Sequence, residues 1–193
     1  MSTEVKRRKH YGFLPISGRA LFFSGLALAI LLLGGFAWLL FQPSNDTGPA
    51  GGVGIGQSAP DFTLKDASGH QVSLSSFHGH PVIINFWASY CAPCRGETPL
   101  LEQFYQDHQA QQLVILGINE GEPTSTMSEY IQEYNVTYPI LADRTLQFNA
   151  ASSYDPVPLP RTYFIDKEGI VRASYPGALS PAILQADYQK ISG

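Results

Sequence analysis

The chain is poor in the residue types on which several classes of small protein depend. Its 193 residues include only two cysteines and two methionines, and 15% of the residues are charged. Two cysteines are too few for a disulfide-stapled miniprotein or for a four-cysteine structural zinc site. Because 44% of the residues are hydrophobic, the chain is too apolar to be disordered, and we expect one globular domain plus an additional segment.

Basic residues are also scarce over most of the chain. Residues 1–19 hold five lysines and arginines against one acidic residue, a net charge of +4, whereas the remaining residues hold seven against fifteen, a net charge of −8. A nucleic-acid-binding surface needs clustered Lys and Arg, and the acidic part of the chain offers little of either. We therefore expect no nucleic-acid partner for the folded part.

An uncharged run separates the two charge blocks. Residues 20–41 form 22 consecutive uncharged positions, and a helix of that length, about 33 Å, can cross the hydrocarbon core of a bilayer. The alternative is a cleaved signal peptide, but its apolar region is shorter, about 7 to 15 residues, and its small-residue cleavage site is poorly matched here. The positive-inside rule then predicts residues 1–19 in the cytoplasm, a transmembrane anchor over 20–41, and the rest of the chain on the periplasmic side of the cytoplasmic membrane.

The segment after the predicted anchor has no hydrophobic period. Residues 42–55 are rich in Gly, Pro and polar side chains, which predicts a flexible linker. The folded domain is then expected over residues 56–193, a normal size for one hydrophobic core.

Strand and helix patterns alternate in the first part of this domain. Apolar runs at 82–87 and 113–118 are typical of buried strands, and helical patterns follow them over 92–107 and 123–134. This alternation predicts parallel strands in the middle of a sheet, with helices on its faces.

Turn signals near both ends of the domain predict hairpins. Gly69 and Gly169 each mark a turn between short strand patterns, and Ser180 followed by Pro begins a last helix. The stretch around 145–151 is expected to be irregular and partly helical. The predicted fold class is α/β, with a mixed central sheet that has an antiparallel edge.

A Cys-Ala-Pro-Cys sequence lies where the buried strand at 82–87 ends and the next helix begins. Cysteines three residues apart on a first helical turn lie on the same side, close enough for a disulfide. Free backbone N–H groups and the helix dipole favour the thiolate of Cys91, whereas Cys94, one turn further, is expected to be less exposed. We therefore predict that Cys91 attacks a partner disulfide and that Cys94 resolves the mixed disulfide, with Pro93 limiting backbone freedom between them.

These residues resemble the thioredoxin superfamily, and more narrowly its membrane-anchored TlpA/ResA-like branch, which includes CcmG/DsbE-like proteins. The resemblance covers residues 56–193: the opening at 59–64, the strand end at 85–88, the CxPC helix with Glu97 and Pro99, and the segment 160–166. It implies a thioredoxin fold with an added N-terminal hairpin and a central insertion, and an enzyme that exchanges thiols with protein disulfides. In many such proteins the role is reduction, including reduction of apocytochrome c before haem attachment.

The same resemblance implies which partners and cofactors to expect. No cofactor is needed beyond the redox-active cysteine pair. A reductase outside the cytoplasm needs electrons relayed across the membrane, so a membrane thiol-relay reductant is the expected partner.

A substrate-binding face is also implied by the resemblance. Pro160 would be the cis-proline that lies against the disulfide and leaves the backbone of Leu159 free to pair with an extended substrate. An ordinary loop proline is the alternative, since Pro156 and Pro158 are nearby. The substrate-binding residues expected on this face are Trp87, Tyr90, Pro93, Leu159, Pro160 and Arg161.

Two of these positions depart from the family pattern. Tyr90 stands where tryptophan is usual, and Arg161 stands where threonine is common. The resemblance to the family is therefore weakest at the residues expected to determine the choice of partner. Arg161 either stabilises the Cys91 thiolate by its charge or is a solvated arginine at a strand edge.

Glu97 is a candidate acid-base group. It lies three residues beyond Cys94, where a carboxylate could exchange a proton with the resolving thiol, and the alternative is a surface glutamate favoured by the helix dipole. Asn85 favours the first reading, because ordinary thioredoxins have a buried aspartate there and this chain has a neutral amide. The predicted catalytic residues are therefore Cys91, Cys94 and Glu97.

Two other function classes remain possible at this stage. One is a copper-binding module or chaperone that uses both thiolates, and the other is a thiol peroxidase, because the hairpin-plus-strand opening is shared with peroxiredoxin-like domains. No metal site is predicted. The pair His78 and His80 lacks a third ligand, and the Glu120-Gly121-Glu122 loop is expected to be a solvated connection.

Overall fold

The computed structural model describes residues 52–144, 153–155 and 157–193. The predicted basic N-terminus, the anchor over 20–41 and most of the predicted linker lie outside these ranges, as does the stretch 145–151. Within the described ranges, no helix combines the length and the apolar character that crossing a bilayer requires.

Strands and helices alternate along the domain largely as predicted. Two short 3-10 turns, at Leu74–Phe77 and Gln109–Gln111, accompany the main elements. The main elements are, in chain order, β1 (Thr63–Asp66), β2 (Gln71–Ser73), β3 (Val82–Trp87), α1 (Ala92–His108), β4 (Val114–Glu120), α2 (Thr124–Tyr134), β5 (Ile140–Asp143), β6 (Arg161–Ile165), β7 (Val171–Pro176) and α3 (Pro181–Gln189).

All the strands join one sheet in the order β2-β1-β5-β4-β3-β6-β7. Strands β3, β4 and β5 are parallel, and the other pairings are antiparallel, which confirms the predicted mixed sheet of a thioredoxin-like fold. Antiparallel pairs flank the parallel centre on both sides, whereas the sequence predicted one such edge. The difference arises from β5, which was not predicted as a strand: its four residues are too few for a periodic signal, and pairing with β4 and β1 defines it.

Side-chain alternation along β3 separates two apolar cores. Ile83 and Trp87 pack on the face that α1, α2 and α3 cover, whereas Ile84 and Phe86 pack on the opposite face. Asn85 lies between Ile83 and Trp87 on the strand, so its side chain is on the helical face and is 3% exposed. The apolar run predicted for β3 is therefore interrupted at Asn85, a polar residue whose side chain faces α1.

The packed domain begins earlier than the predicted start at Gly56. Val53 is 8% exposed within the core opposite the helices, and its backbone N–H donates to the Ser153 carbonyl at 3.0 Å. The N–H of Gly56 donates to Val171 at the start of β7. Glycine-rich composition concealed this attachment, because one valine in such a segment gives no periodic signal.

Candidate active site

The two cysteines are joined by a disulfide at the N-terminus of α1, with their Cα atoms 5.3 Å apart. Cys91 is the N-cap residue of α1, and its Sγ accepts the backbone N–H of Cys94 at 3.3 Å. Cys91 is 8% exposed and Cys94 is 1% exposed, which confirms the predicted order of exposure. A donor aimed at the Cys91 sulfur stabilises a thiolate there once the pair is reduced.

The loop that leads into the disulfide is anchored by Glu122. The carboxylate of Glu122 accepts the backbone N–H of Ser89 at 2.7 Å and also accepts the Ser89 hydroxyl. Asn119, at the end of β4, donates its amide to the same carboxylate at 2.7 Å. On its other side Ser89 accepts a hydrogen bond from Arg95 at 2.6 Å, so both polar sides of this residue are fixed.

The expectation that Glu120-Gly121-Glu122 is a solvated loop is therefore wrong. Glu122 is half-buried against the loop that precedes Cys91, and Glu120 lies opposite Asp143 in the β4–β5 register. Burial, and then the charge of Asp143, raise the pKa of Glu120 to about 7. A signal was available, since carboxyl ends of adjacent parallel strands share one sheet edge, and Glu120 and Glu122 lie at or just after the end of β4.

Glu97 is buried rather than on the surface, so the alternative of a surface glutamate is wrong. It is 2% exposed, and its carboxylate accepts the Asn85 side-chain amide at 2.8 Å and the Leu179 backbone N–H at 2.7 Å. Burial raises the pKa of Glu97, and these two hydrogen bonds partly oppose that shift. Glu97 and Cys94 are both buried on α1 and are three residues apart, a spacing that places them on neighbouring positions of one helix face.

The Leu159–Pro160 peptide bond is cis, as the resemblance implied. The preceding Val157–Pro158 bond is cis as well. Pro160 is buried and Leu159 is half-buried. Because Arg161, the next residue, pairs with Phe86 near the end of β3, the proline lies at the same sheet edge as the disulfide loop.

The other predicted substrate-binding residues differ in how they are presented. Tyr90 is 70% exposed, and Pro93 is also exposed. Trp87 is 3% exposed and its ring lies 4.0 Å from that of Tyr130, so its side chain offers almost no surface to a partner. A direct contact between Trp87 and substrate stays a prediction with little surface to support it.

Arg161 is engaged with its own part of the sheet. Its side chain donates to the Ser174 hydroxyl at 3.1 Å and lies over the Tyr163 ring, 5.5 Å from the ring centre. It is half-buried, so it is not a freely solvated arginine, and its effect on the Cys91 thiolate stays a prediction.

Sequence reasoning missed one exposed apolar side chain beside the predicted substrate face. Val157 is 70% exposed and lies three residues before Pro160. Its position beside Pro158 and Pro160 was the available signal, since prolines restrict the backbone to conformations that favour loops over helix or strand interiors.

The hydrogen bonds that the Glu122 carboxylate accepts should contribute to the stability of the domain. Glu122→Ala removes an acceptor shared by Ser89 and Asn119, and we expect it to lower the free energy of unfolding by about 1–3 kcal/mol. The matched control Glu133→Ala removes an exposed glutamate from α2 and should change stability little. Denaturant unfolding of both variants measures this, and equal effects would contradict an anchoring role.

Comparison with known proteins agrees with this geometry. The AhpC/TSA family profile matches residues 55–174. The chain is 32% identical to the thiol-disulfide oxidoreductase ResA of Geobacillus kaustophilus, over 86% of this chain and 92% of that relative, and 34% identical to ResA of Geobacillus thermodenitrificans, over 72% and 79%. A solved structure from Chlorobium tepidum, provisionally assigned as a DsbE thiol:disulfide interchange protein, aligns with a TM-score of 0.67 at 26% identity, over 73% of this chain and 99% of that one. The chain therefore belongs to the AhpC/TSA family of thioredoxin-like proteins and, within it, to the thiol-disulfide oxidoreductases of the ResA type.

Proposed function

We propose that this oxidoreductase works as a reductant of disulfides in exported proteins while tethered to the outer face of the cytoplasmic membrane. The observation that carries the redox role is the Cys91–Cys94 pair at the start of α1, where the Cys94 N–H donates to the Cys91 sulfur. Apocytochrome c before haem attachment is the candidate substrate that the family resemblance suggests. The two sulfurs carry the electrons, so we propose no further cofactor.

The proposed reaction moves two electrons from the reduced pair to a substrate disulfide. The Cys91 thiolate attacks one substrate sulfur, which forms a mixed disulfide and releases the other substrate sulfur as a thiolate that takes a proton from water. Cys94 then loses its proton, and its sulfur attacks Cys91. This attack closes the Cys91–Cys94 disulfide and releases the second substrate thiolate, which is also protonated by water.

Glu97 is the proposed acceptor of the Cys94 proton. The support is its burial on the same helix as Cys94 and its raised pKa, which keeps its proton affinity closer to that of a thiol than an exposed carboxylate would allow. Burial disfavours ionisation of a thiol. A nearby base is therefore expected to accelerate the second step, in which Cys94 loses its proton, rather than the first attack by Cys91.

Two cysteine variants test the order of attack. Cys91→Ala should abolish reduction of insulin disulfides, because the remaining cysteine, Cys94, is more deeply buried, at 1% exposure. Cys94→Ala should retain the first attack and accumulate a mixed disulfide, detectable by mass spectrometry as an adduct that dithiothreitol removes. Ser68→Ala, an exposed serine in the β1–β2 turn, is the matched control and should react like the unmodified protein. Insulin reduction that survives Cys91→Ala would refute the proposal.

The two other function classes give different results with the same protein. A copper module would bind one Cu(I) per chain through both thiols without reducing disulfides, and a peroxidase would consume hydrogen peroxide rapidly. In the part of the chain that the structure describes, no three His, Cys, Asp or Glu side chains gather into a metal-binding group. A measured reduction potential tests the direction of electron flow, since a potential as high as that of a strong oxidant contradicts a reductant.

An apolar substrate face is the proposed basis of partner choice. Tyr90 and Val157, each 70% exposed, stand next to Cys91 and shortly before Pro160. A third large apolar residue exposed in the described ranges is Ile55, at 67%. The next residue, Gly56, is hydrogen-bonded to the start of β7, so Ile55 lies at the end of the sheet away from Pro160. We propose that an extended substrate segment pairs with the Leu159 backbone and places apolar side chains against Tyr90 and Val157.

Matched charge insertions test this substrate face. Val157→Asp should lower kcat/KM by about tenfold for a peptide disulfide flanked by apolar residues, because the burial of one valine is lost. Ile55→Asp should leave that value unchanged, and neither variant should alter reduction of a small aromatic disulfide that is too short to reach Val157. Equal losses in the two variants would show that the effect is not local to this face.

Residues 1–41 supply the support for membrane tethering. Their +4 basic block precedes a 22-residue uncharged run, which together favour an anchor with its basic end in the cytoplasm. A periplasmic reductase needs electrons from the cytoplasm, so we propose a membrane dithiol relay that reduces Cys91–Cys94 after each turnover.

Fractionation of cells that express the full chain tests this location. The protein should stay in the membrane fraction after an alkaline carbonate wash, and a protease added to spheroplasts should digest the redox domain. Replacing the basic residues at 6–9 with Glu should reduce the digested fraction, because the charge asymmetry that orients the anchor is lost. A domain released by the wash, or resistant in spheroplasts, would contradict the proposed tether.

A further inference from the structure

Asn85 and Thr162 form a buried polar pair directly beside Glu97. The two residues are partners in the β3–β6 register, and both side chains are on the sheet face that α1 covers. The Asn85 amide nitrogen donates to Thr162 Oγ1 at 3.0 Å and to Glu97 Oε1 at 2.8 Å. Exposure is 3% for Asn85, 0% for Thr162 and 2% for Glu97, so water does not substitute for these partners.

The observed hydrogen bonds suit one protonation state of Glu97. Both donors to its carboxylate, the Asn85 amide and the Leu179 backbone N–H, are satisfied only by an acceptor, and an ionised carboxylate is an acceptor at both oxygens. A protonated carboxyl has an O–H that needs an acceptor of its own. Left unpaired in this buried place, that O–H would make proton uptake costly.

A rotation of the Asn85 side chain would provide an acceptor for this O–H. A half-turn of the Asn85 amide about its terminal torsion exchanges Nδ2 with Oδ1, and such sp²-ended side chains have two nearly equivalent orientations. In the turned orientation Oδ1 faces both Glu97 and Thr162. The threonine hydroxyl serves either orientation, because it accepts from Nδ2 in one and donates to Oδ1 in the other.

We propose that Asn85 and Thr162 act together as a reversible hydrogen-bond adaptor that keeps Glu97 paired both as a carboxylate and as a carboxylic acid. Asn85 and Thr162 are positioning residues here, since they act through Glu97. The proposal rests on the proposed role of Glu97 as the acceptor of the Cys94 proton.

The surroundings of Glu97 leave it as the group that titrates. From α2 the Tyr130 phenol and from the segment before β5 the Tyr138 phenol lie within its electrostatic influence, and burial raises the pKa of both. On α1 itself, Arg95 is bound to the Ser89 carbonyl and Cys94 is in the disulfide. From β3, β6 and the segment before α3, the groups that contact it or its Asn85 partner in the described ranges are the neutral Asn85, Thr162 and Leu179.

A neutral amide at position 85 matters to this arrangement. A carboxylate there would face Glu97 at hydrogen-bond distance, and two such acids share one proton and titrate as a pair. Asn85 instead donates an amide N–H to the Glu97 carboxylate and adds no second titrating group. The proton passed from Cys94 is therefore held on one group.

Substitutions at Thr162 test the adaptor on the oxidised full-length protein without substrate. Thr162→Val keeps the shape of the residue, but leaves one Asn85 N–H unpaired when Glu97 is ionised. The midpoint of the Glu97 carboxyl titration, followed by carbon-13 NMR, should rise by about one pH unit, the size expected for one lost hydrogen bond. Thr162→Ser restores the hydroxyl and should return the midpoint to that of the unmodified protein.

The outcomes separate this inference from the proposed function. An unchanged midpoint in Thr162→Val, or an equal shift in Thr162→Ser, would overturn the adaptor even if disulfide reduction is intact. Asn85→Asp provides a second measurement, because it should convert the single titration into two coupled steps, and a single unshifted step would also overturn the proposal. If Glu97→Gln leaves the pH–rate profile unchanged, the proton-acceptor role fails while the NMR result still decides the adaptor.

Discussion

The parallel pairing of β3 with β4 is the constraint on which the site depends. Its register places Trp87 opposite Asn119, so both strands end at the same sheet edge. The chain after β3 turns through Ser89 into α1, and the chain after β4 turns through Glu122 toward α2. The Glu122 carboxylate then connects the two turns through its hydrogen bonds to Ser89, which lies two residues before Cys91, the N-cap of α1.

Local patterns were sufficient for the parts of the fold that local energetics determine. The mostly apolar run of β3, the N-cap at Ser180 and the cysteine pair at a strand-to-helix junction all express preferences within a few residues, and each was predicted within one or two positions. The β5 strand was not predicted, since it exists through pairing with β1 and β4. Tertiary pairing of this kind leaves little trace in four residues.

The features of the candidate site likewise fall into those that local sequence predicts and those that depend on residues far apart in the chain. The cysteine pair and the cis peptide before Pro160 followed from motif and resemblance, as did the choice of Glu97 as a candidate acid-base group. The burial of Glu97 did not, because it depends on Leu179, which is 82 residues away along the chain. The anchoring role of Glu122 also depends on distant residues, since its carboxylate meets Ser89, 33 residues earlier. From the sequence alone, an acidic side chain in a loop is expected to be solvated. The strand order is needed to show which distant loop lies against it.

Polar and apolar groups have separate tasks at this end of the sheet. Two buried or half-buried carboxylates bond to named partners, as Glu97 does with Asn85 and Glu122 does with Ser89. Two large exposed side chains beside the disulfide and shortly before Pro160, Tyr90 and Val157, are apolar. A paired polar network holds the backbone around Glu97 and around the disulfide loop in place, and exposed apolar side chains suit contact with a partner surface.

The different exposure of the two sulfurs has a consequence for chemical durability. Oxidants reach the N-cap sulfur first, and a thiolate that is oxidised once becomes a sulfenic acid. Cys94 lies one helical turn away and is almost fully enclosed, so it is spared direct attack and remains able to condense with that sulfenic acid. The product is the ordinary disulfide and water, which halts the series before the irreversible sulfinic and sulfonic acids. Oxidative damage at Cys91 is thereby returned to the catalytic cycle as its oxidised resting form.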